Sequence, residues 1–169
     1  MFKVLNTKLI IFFFVALWLF AKAGEILGYL KNTSLAEEIR HSNGNISALN
    51  HEGLTAVSIT DLVLSSGFAS VLGLLVGLII ALIISRRSKW HWFNAVLALL
   101  IVYLSGWLKL ESSDYVERLL RLPGERLNGV WYYLTNGLVC LLLGLLTFFL
   151  VGFLNVTNHD RLTVNKQSA

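Results

Sequence analysis

The sequence predicts an all-α, polytopic membrane protein, a single membrane domain of four transmembrane helices with a short amphipathic helix in the second outer loop. Three observations carry this reading. Of 169 residues, 56% are hydrophobic and only 14% charged, against roughly 45–50% and 25% in soluble domains. The apolar residues gather into blocks at 9–30, 61–84, 90–108 and 130–155, each near or above the roughly 17–25 residues that cross a hydrocarbon core. Finally, the blocks lack the period-two alternation of barrel strands, so the spans are helices.

The first span is preceded by Lys3 and Lys8 and contains the triplet Ala21-Lys22-Ala23, a layout shared with cleavable signal peptides. Apolar character resumes at Ile26, Leu27, Tyr29 and Leu30 and carries the helix to full membrane length. An uncleaved anchor is therefore expected, the alternative being a mature chain that starts at Gly24. Lys22 and Glu25 lie three residues apart, on one face with Trp18 and Tyr29, and are placed to pair.

The outer loop 31–60 is polar, with turn signals at Asn32 to Ser34 and at Asn43-Gly44. Residues 34–41 could form a short helix with Ser34 as N-cap and Glu37 completing a capping box. The loop is too short to bury a core of its own and should lie on the bundle or on lipid. Ser58 or Thr60 is expected to cap the second span, with Asp61 facing its positive end.

Inside the second span a small residue recurs at every fourth position: Ser65, Ala69, Gly73, Gly77, Ala81 and Ser85. Small side chains at this spacing let another helix come close, where lipid offers no hydrophobic reason to associate. Four residues turn a helix through about 400°, so each rung drifts about 40° and the row is a spiral. Only Ala69, Gly73, Gly77 and Ala81 can then face one partner. Ser65 is left to an outer polar cluster and Ser85 to the following turn. This helix is expected to be the central post of its own bundle, and no homo-oligomer is established by the motif.

The turn 85–89 leads into the third span through Arg86-Arg87-Ser88-Lys89-Trp90-His91-Trp92. Cations beside indoles are ordinary interfacial anchors. The sharper expectation is a lipid-headgroup site at Arg86, Arg87, Lys89 and Trp90. In loop 109–129, Ser112-Ser113-Asp114 opens a stretch in which Tyr115, Val116, Leu119, Leu120 and Leu122 recur at helical spacing, with Glu117, Arg118 and Arg121 between them. Pro123-Gly124 stops it, and an interfacial amphipathic helix is expected. The fourth span then runs over 130–155, and a polar tail over 156–169 completes the chain.

Charge sets the expected orientation. With the termini and turn 85–89 on one side, that side carries Lys3, Lys8, Arg86, Arg87, Lys89, Arg161 and Lys166 against Asp160 alone, a net +6, and the other side nets −2. Lys and Arg excess marks the cytoplasmic side, so both termini should be inside. The pI of about 9.4 reflects this topology. No soluble segment is large enough to present a nucleic-acid surface, and no nucleic-acid partner is expected. Short hairpins and a lone cysteine fit a bacterial inner membrane.

Signals of chemistry are sparse. Cys140 is the only cysteine and falls within the fourth span, where packing is its expected role. His41, His51, His91 and His159 are scattered, and Glu38-Ile39-Arg40-His41 is a single E-x-x-H, whereas a carboxylate di-metal site needs two. No nucleophile elbow, zinc-protease or phosphate-loop motif occurs. No metal, cofactor or catalytic residue is expected. Sequons at Asn32, Asn45 and Asn155 are common by chance.

The remaining constellation is polar and lies near the outer helix ends: Lys22, Glu25, Asp61, Ser65 and Asn136. Ionisable groups at depth are a functional hypothesis by default. The leading expectation is a non-enzymatic accessory, assembly or interaction subunit whose partners are the lipid bilayer and another membrane protein. A small transporter or sensor with an outward-facing polar vestibule at these five residues is the alternative, and a membrane enzyme with an outer-facing site is the third.

Overall fold

The computed structural model describes residues 5–42, 56–107 and 114–167. Its elements in order are α1 (Thr7–Gly28), a 3₁₀ turn (Tyr29–Asn32), α2 (Thr33–His41), α3 (Ala56–Arg87), α4 (Phe93–Trp107), α5 (Asp114–Arg121), a second 3₁₀ turn (Leu122–Gly124) and α6 (Val130–Gln167). The chain is all-α over these residues. Three stretches, Thr7–His41, Val57–Arg87 and Val130–Gly152, are helical, long and apolar enough to cross a membrane. The block expected as a further span at 90–108 gives α4, whose 15 residues extend about 22 Å to the edge of the described residues, so a fourth crossing is not shown. Residues 108–113 lie outside the described part.

The helix ends differ from expectation in ways the side chains explain. α2 begins at Thr33 because Asn32 is its N-cap, accepting from the Leu35 amide at 3.3 Å and from the Ser34 hydroxyl at 3.0 Å. Ser34 therefore lies inside the helix, and Glu37 serves elsewhere. α3 starts at Ala56, which places Ser58, Thr60 and Asp61 within its first turns and leaves none of them as its cap. The expected tail 156–169 continues α6 to Gln167. Gly129 precedes α6 with φ +59°, a left-handed conformation open to glycine at no steric cost.

α1, not α3, is the central post. Phe13, Ala16, Leu17, Phe20 and Ala23 are all buried, because α1 is packed by α3, α6 and α4 around its circumference. α3 is buried only along one edge, and Leu64, Phe68, Val71, Leu75 and Ile79 stay exposed on the opposite side. The cause lies in the two small-residue rows that meet. A Cβ on Gly24 would fall on the Ala69 carbonyl oxygen and one on Gly73 on the Phe20 carbonyl oxygen, while Gly28 faces the Ser66 Cα at 2.5 Å. Falling numbers on α1 meet rising numbers on α3, so the pair is antiparallel with backbones in contact, the arrangement small-xxx-small rows permit.

On its other side α1 sets side chains against glycines of α6. A Cβ on Gly144 would lie 2.8 Å from the Phe20 ring and one on Gly137 2.6 Å from Leu27. Between these helices the apolar core is aromatic: Phe148 lies 6.1 Å from Phe13 and 5.8 Å from Phe20, ring to ring, and Trp90 meets Phe13 edge-on at 6.4 Å. Such tilted pairs add about 0.5–1.5 kcal/mol each beyond area burial.

A polar tie locates α4. Asn94, 2% exposed, accepts the Asn6 amide through Oδ1 at 3.0 Å and donates through Nδ2 to the His91 carbonyl at 2.9 Å. The beginnings of α1 and α4 are thereby joined. Asn94→Ala should lower stability by about 1–3 kcal/mol, since it removes two hydrogen bonds made by a buried side chain. Thermal melting in detergent and faster amide exchange at Asn6 would register it; an unchanged melt would show the tie to be idle.

Candidate functional site

The five residues of the expected polar cluster have several local partners. Lys22 Nζ pairs with Glu25 Oε2 at 2.9 Å, a turn apart on α1, with Lys22 only 9% exposed. Asp61 pairs instead with Lys31 at 2.8 Å, an exposed bridge from the 3₁₀ turn to α3. The Ser65 hydroxyl donates to the Asp61 carbonyl at 2.7 Å, so it is spent on its own helix. Of the adjacent serines, Ser66 is the buried one, and it donates to the Val63 carbonyl at 3.0 Å.

Asn136 is fully buried, and its Oδ1 accepts the Gly124 amide at 2.9 Å. Its Nδ2 is buried without a hydrogen-bond partner among the described residues. A Cβ on Gly124 would come within 2.7 Å of that nitrogen, so turn and side chain are pressed together. Cys140, one turn further along α6, is a buried free thiol.

A second polar and aromatic group caps this end of the bundle, and sequence spacing gave no hint of it. Arg40 of α2 pairs with Glu37 at 3.0 Å and lies over the Tyr132 ring at 4.1 Å. Glu37 in turn accepts the Gly129 amide ahead of α6. Tyr29 and Tyr133 pack at 5.7 Å over buried Leu35, Ala36 and Leu62. A cation on an aromatic face contributes about 0.5–2 kcal/mol depending on desolvation. The arrangement fastens α2 to α6. The described surface nearby offers a shallow depression at Val57, Thr60, Asp61 and Leu64, open to one side.

At the opposite end, α3 closes on a left-handed cap. The Trp90 amide donates to the Ser85 carbonyl at 2.9 Å, the Lys89 amide to the Arg86 carbonyl at 3.4 Å, and Lys89 has φ +55°. This is the Schellman pattern, in which glycine is the usual left-handed residue. A lysine there costs about 1–2 kcal/mol relative to an unstrained conformation. Arg86, Arg87 and Lys89 are exposed. Trp90 turns inward against Phe13, whereas Trp92, 56% exposed, stacks on His91 at 5.7 Å and 26°. Of the four residues expected at a headgroup site, Trp90 is thus committed to the core.

Comparison with family models, with curated proteins and with solved structures returns no match to this chain. Among the described residues, no group of three or more His, Cys, Asp or Glu side chains is placed to hold a metal ion. Ala69, Gly73 and Gly77 lie along the α1-facing edge of α3, where Gly73 and Gly77 meet Phe20 and Ala69 meets Gly24, and Ala81 is fully buried.

Proposed function

We propose that the chain is a small multi-pass membrane protein without catalytic activity, an accessory or assembly subunit of a larger membrane complex. One observation carries this: the polar residues at the Tyr29 end of the bundle are engaged in holding the fold. Lys22 pairs with Glu25, Asp61 with Lys31, and Asn136 with the turn before α6. A vestibule leaves such groups available to a ligand, and here each has a partner within the fold. The retained-anchor reading has further support, since α1 is the helix on which α3, α4 and α6 pack; cleavage after Ala23 would remove most of that surface. Lys and Arg excess on the side of the termini favours both termini in the cytoplasm.

The test is mass at native expression. Solubilised in a mild detergent, the chain should migrate well above its own 18.9 kDa plus bound detergent, with one defined membrane protein at constant stoichiometry. A monodisperse single chain under those conditions would overturn the subunit reading.

A further inference from the structure

The α3–α4 corner carries charge that the fold does not use. The last carbonyls of α3 are satisfied by the backbone amides of Ser88, Lys89 and Trp90, so the cations are not needed to cap the helix. The side chains of Arg86, Arg87 and Lys89 make no ion pair or hydrogen bond among the described residues. Lys8 is exposed at the same end, which the Asn6–Asn94 bond joins to the corner. Lys89 also holds a left-handed conformation that a glycine would adopt without strain. Strain kept at one position is a pointer to function.

We infer that this corner binds the headgroup phosphate of an anionic phospholipid. Arg86, Arg87 and Lys89 supply the charge, and Trp92 with its stacked His91 supplies the interfacial platform. A lipid is favoured over a free phosphate ion by what lies beneath the cations. Ile79, Ile83 and Arg87 follow one another at four-residue spacing on α3, and both isoleucines are about half exposed (57% and 49%). An acyl chain can run along that stripe while its phosphate meets Arg87, the guanidinium being suited to bidentate phosphate contact. Trp90, anchored on Phe13, orients the turn so that Trp92 faces outward. The inference goes beyond the subunit reading and depends only on the helices lying in a bilayer.

Native mass spectrometry of the full chain, loaded with phosphatidylglycerol or phosphatidylcholine, tests it. The parent should retain phosphatidylglycerol preferentially, and each charge removed among Arg86→Gln, Arg87→Gln and Lys89→Gln should weaken retention about fivefold, on the order of a hundredfold for all three. Arg118→Gln with Arg126→Gln, exposed cations at the other end, should leave retention unchanged. Lys89→Gly should melt higher than the parent yet hold the lipid less well, a split that a purely structural lysine would not produce. Equal retention of the two lipids, equal loss from the control pair, or displacement of the lipid by millimolar inorganic phosphate would overturn the inference. Should the triple variant misfold, the lipid preference of the parent and the Lys89→Gly split still decide.

Discussion

Gly73→Leu is expected to abolish the folded monomer, at a cost of about 3 kcal/mol or more. Its Cβ would fall on the Phe20 carbonyl oxygen, and backbone cannot step aside as a side-chain tip can. A total stability of about 5–15 kcal/mol leaves little margin for that. Gly67 is the control, because a Cβ there meets nothing within 4 Å. Gly67→Ala should be neutral, or stabilising by up to about 1 kcal/mol through reduced chain freedom. Melting curves and size-exclusion profiles of the two proteins in one detergent make the comparison. A Gly73→Leu chain that remains a monomer with the parent's melting point would show that the α1–α3 contact is not as close as described.

The second large effect belongs to Asn136 and Gly124. Asn136→Ala removes the acceptor of a buried amide and should destabilise by about 1–3 kcal/mol. Gly124→Ala drives a methyl group against the Asn136 side chain at 2.7 Å and should cost a similar amount. Combined, the two should cost clearly less than their sum, because truncating Asn136 makes room for the new methyl. A coupling of about 0.5–3 kcal/mol is the range for residues in contact. Strict additivity in thermal or chemical melts would mean that the turn at Leu122–Gly124 does not rest on Asn136.

Both predictions bear on how much of this molecule was legible in its sequence. Helical spans follow from run length and apolar composition, which need no knowledge of neighbours. The spiral row from Ala69 to Ala81 was legible for the same reason, since spacing alone places those residues on one face. Its partner was not. Gly24 and Gly28 have the identical four-residue spacing on α1, but they fall where Lys22, Glu25 and a cleavage-like triplet draw the reading toward polarity and processing.

The polar residues were the least legible. Lys22 and Glu25 are close in sequence, so their pairing could be anticipated from helix geometry. Asp61 with Lys31, Glu37 with the Gly129 amide and Asn6 with Asn94 join separate elements. No spacing rule reaches across 30 to 92 residues. The two tryptophans of the α3–α4 corner show the same limit. Which indole faces the core depends on the left-handed turn at Lys89, and a lysine does not announce that conformation as a glycine would.

The sequence by itself determined that the apolar blocks are helices, among them the three that the structure shows long and apolar enough to cross a membrane, and that one of these offers an edge for close packing. These are properties of single segments, set by hydropathy and period. Only the tertiary structure decided that α1 is the post, that Asp61 pairs with Lys31 and Asn136 with the turn before α6, and which cations make no ion pair among the described residues. Those outcomes depend on which surfaces meet. In a chain rich in interchangeable apolar faces, that is settled by the few places where backbones touch or a buried polar atom finds its partner.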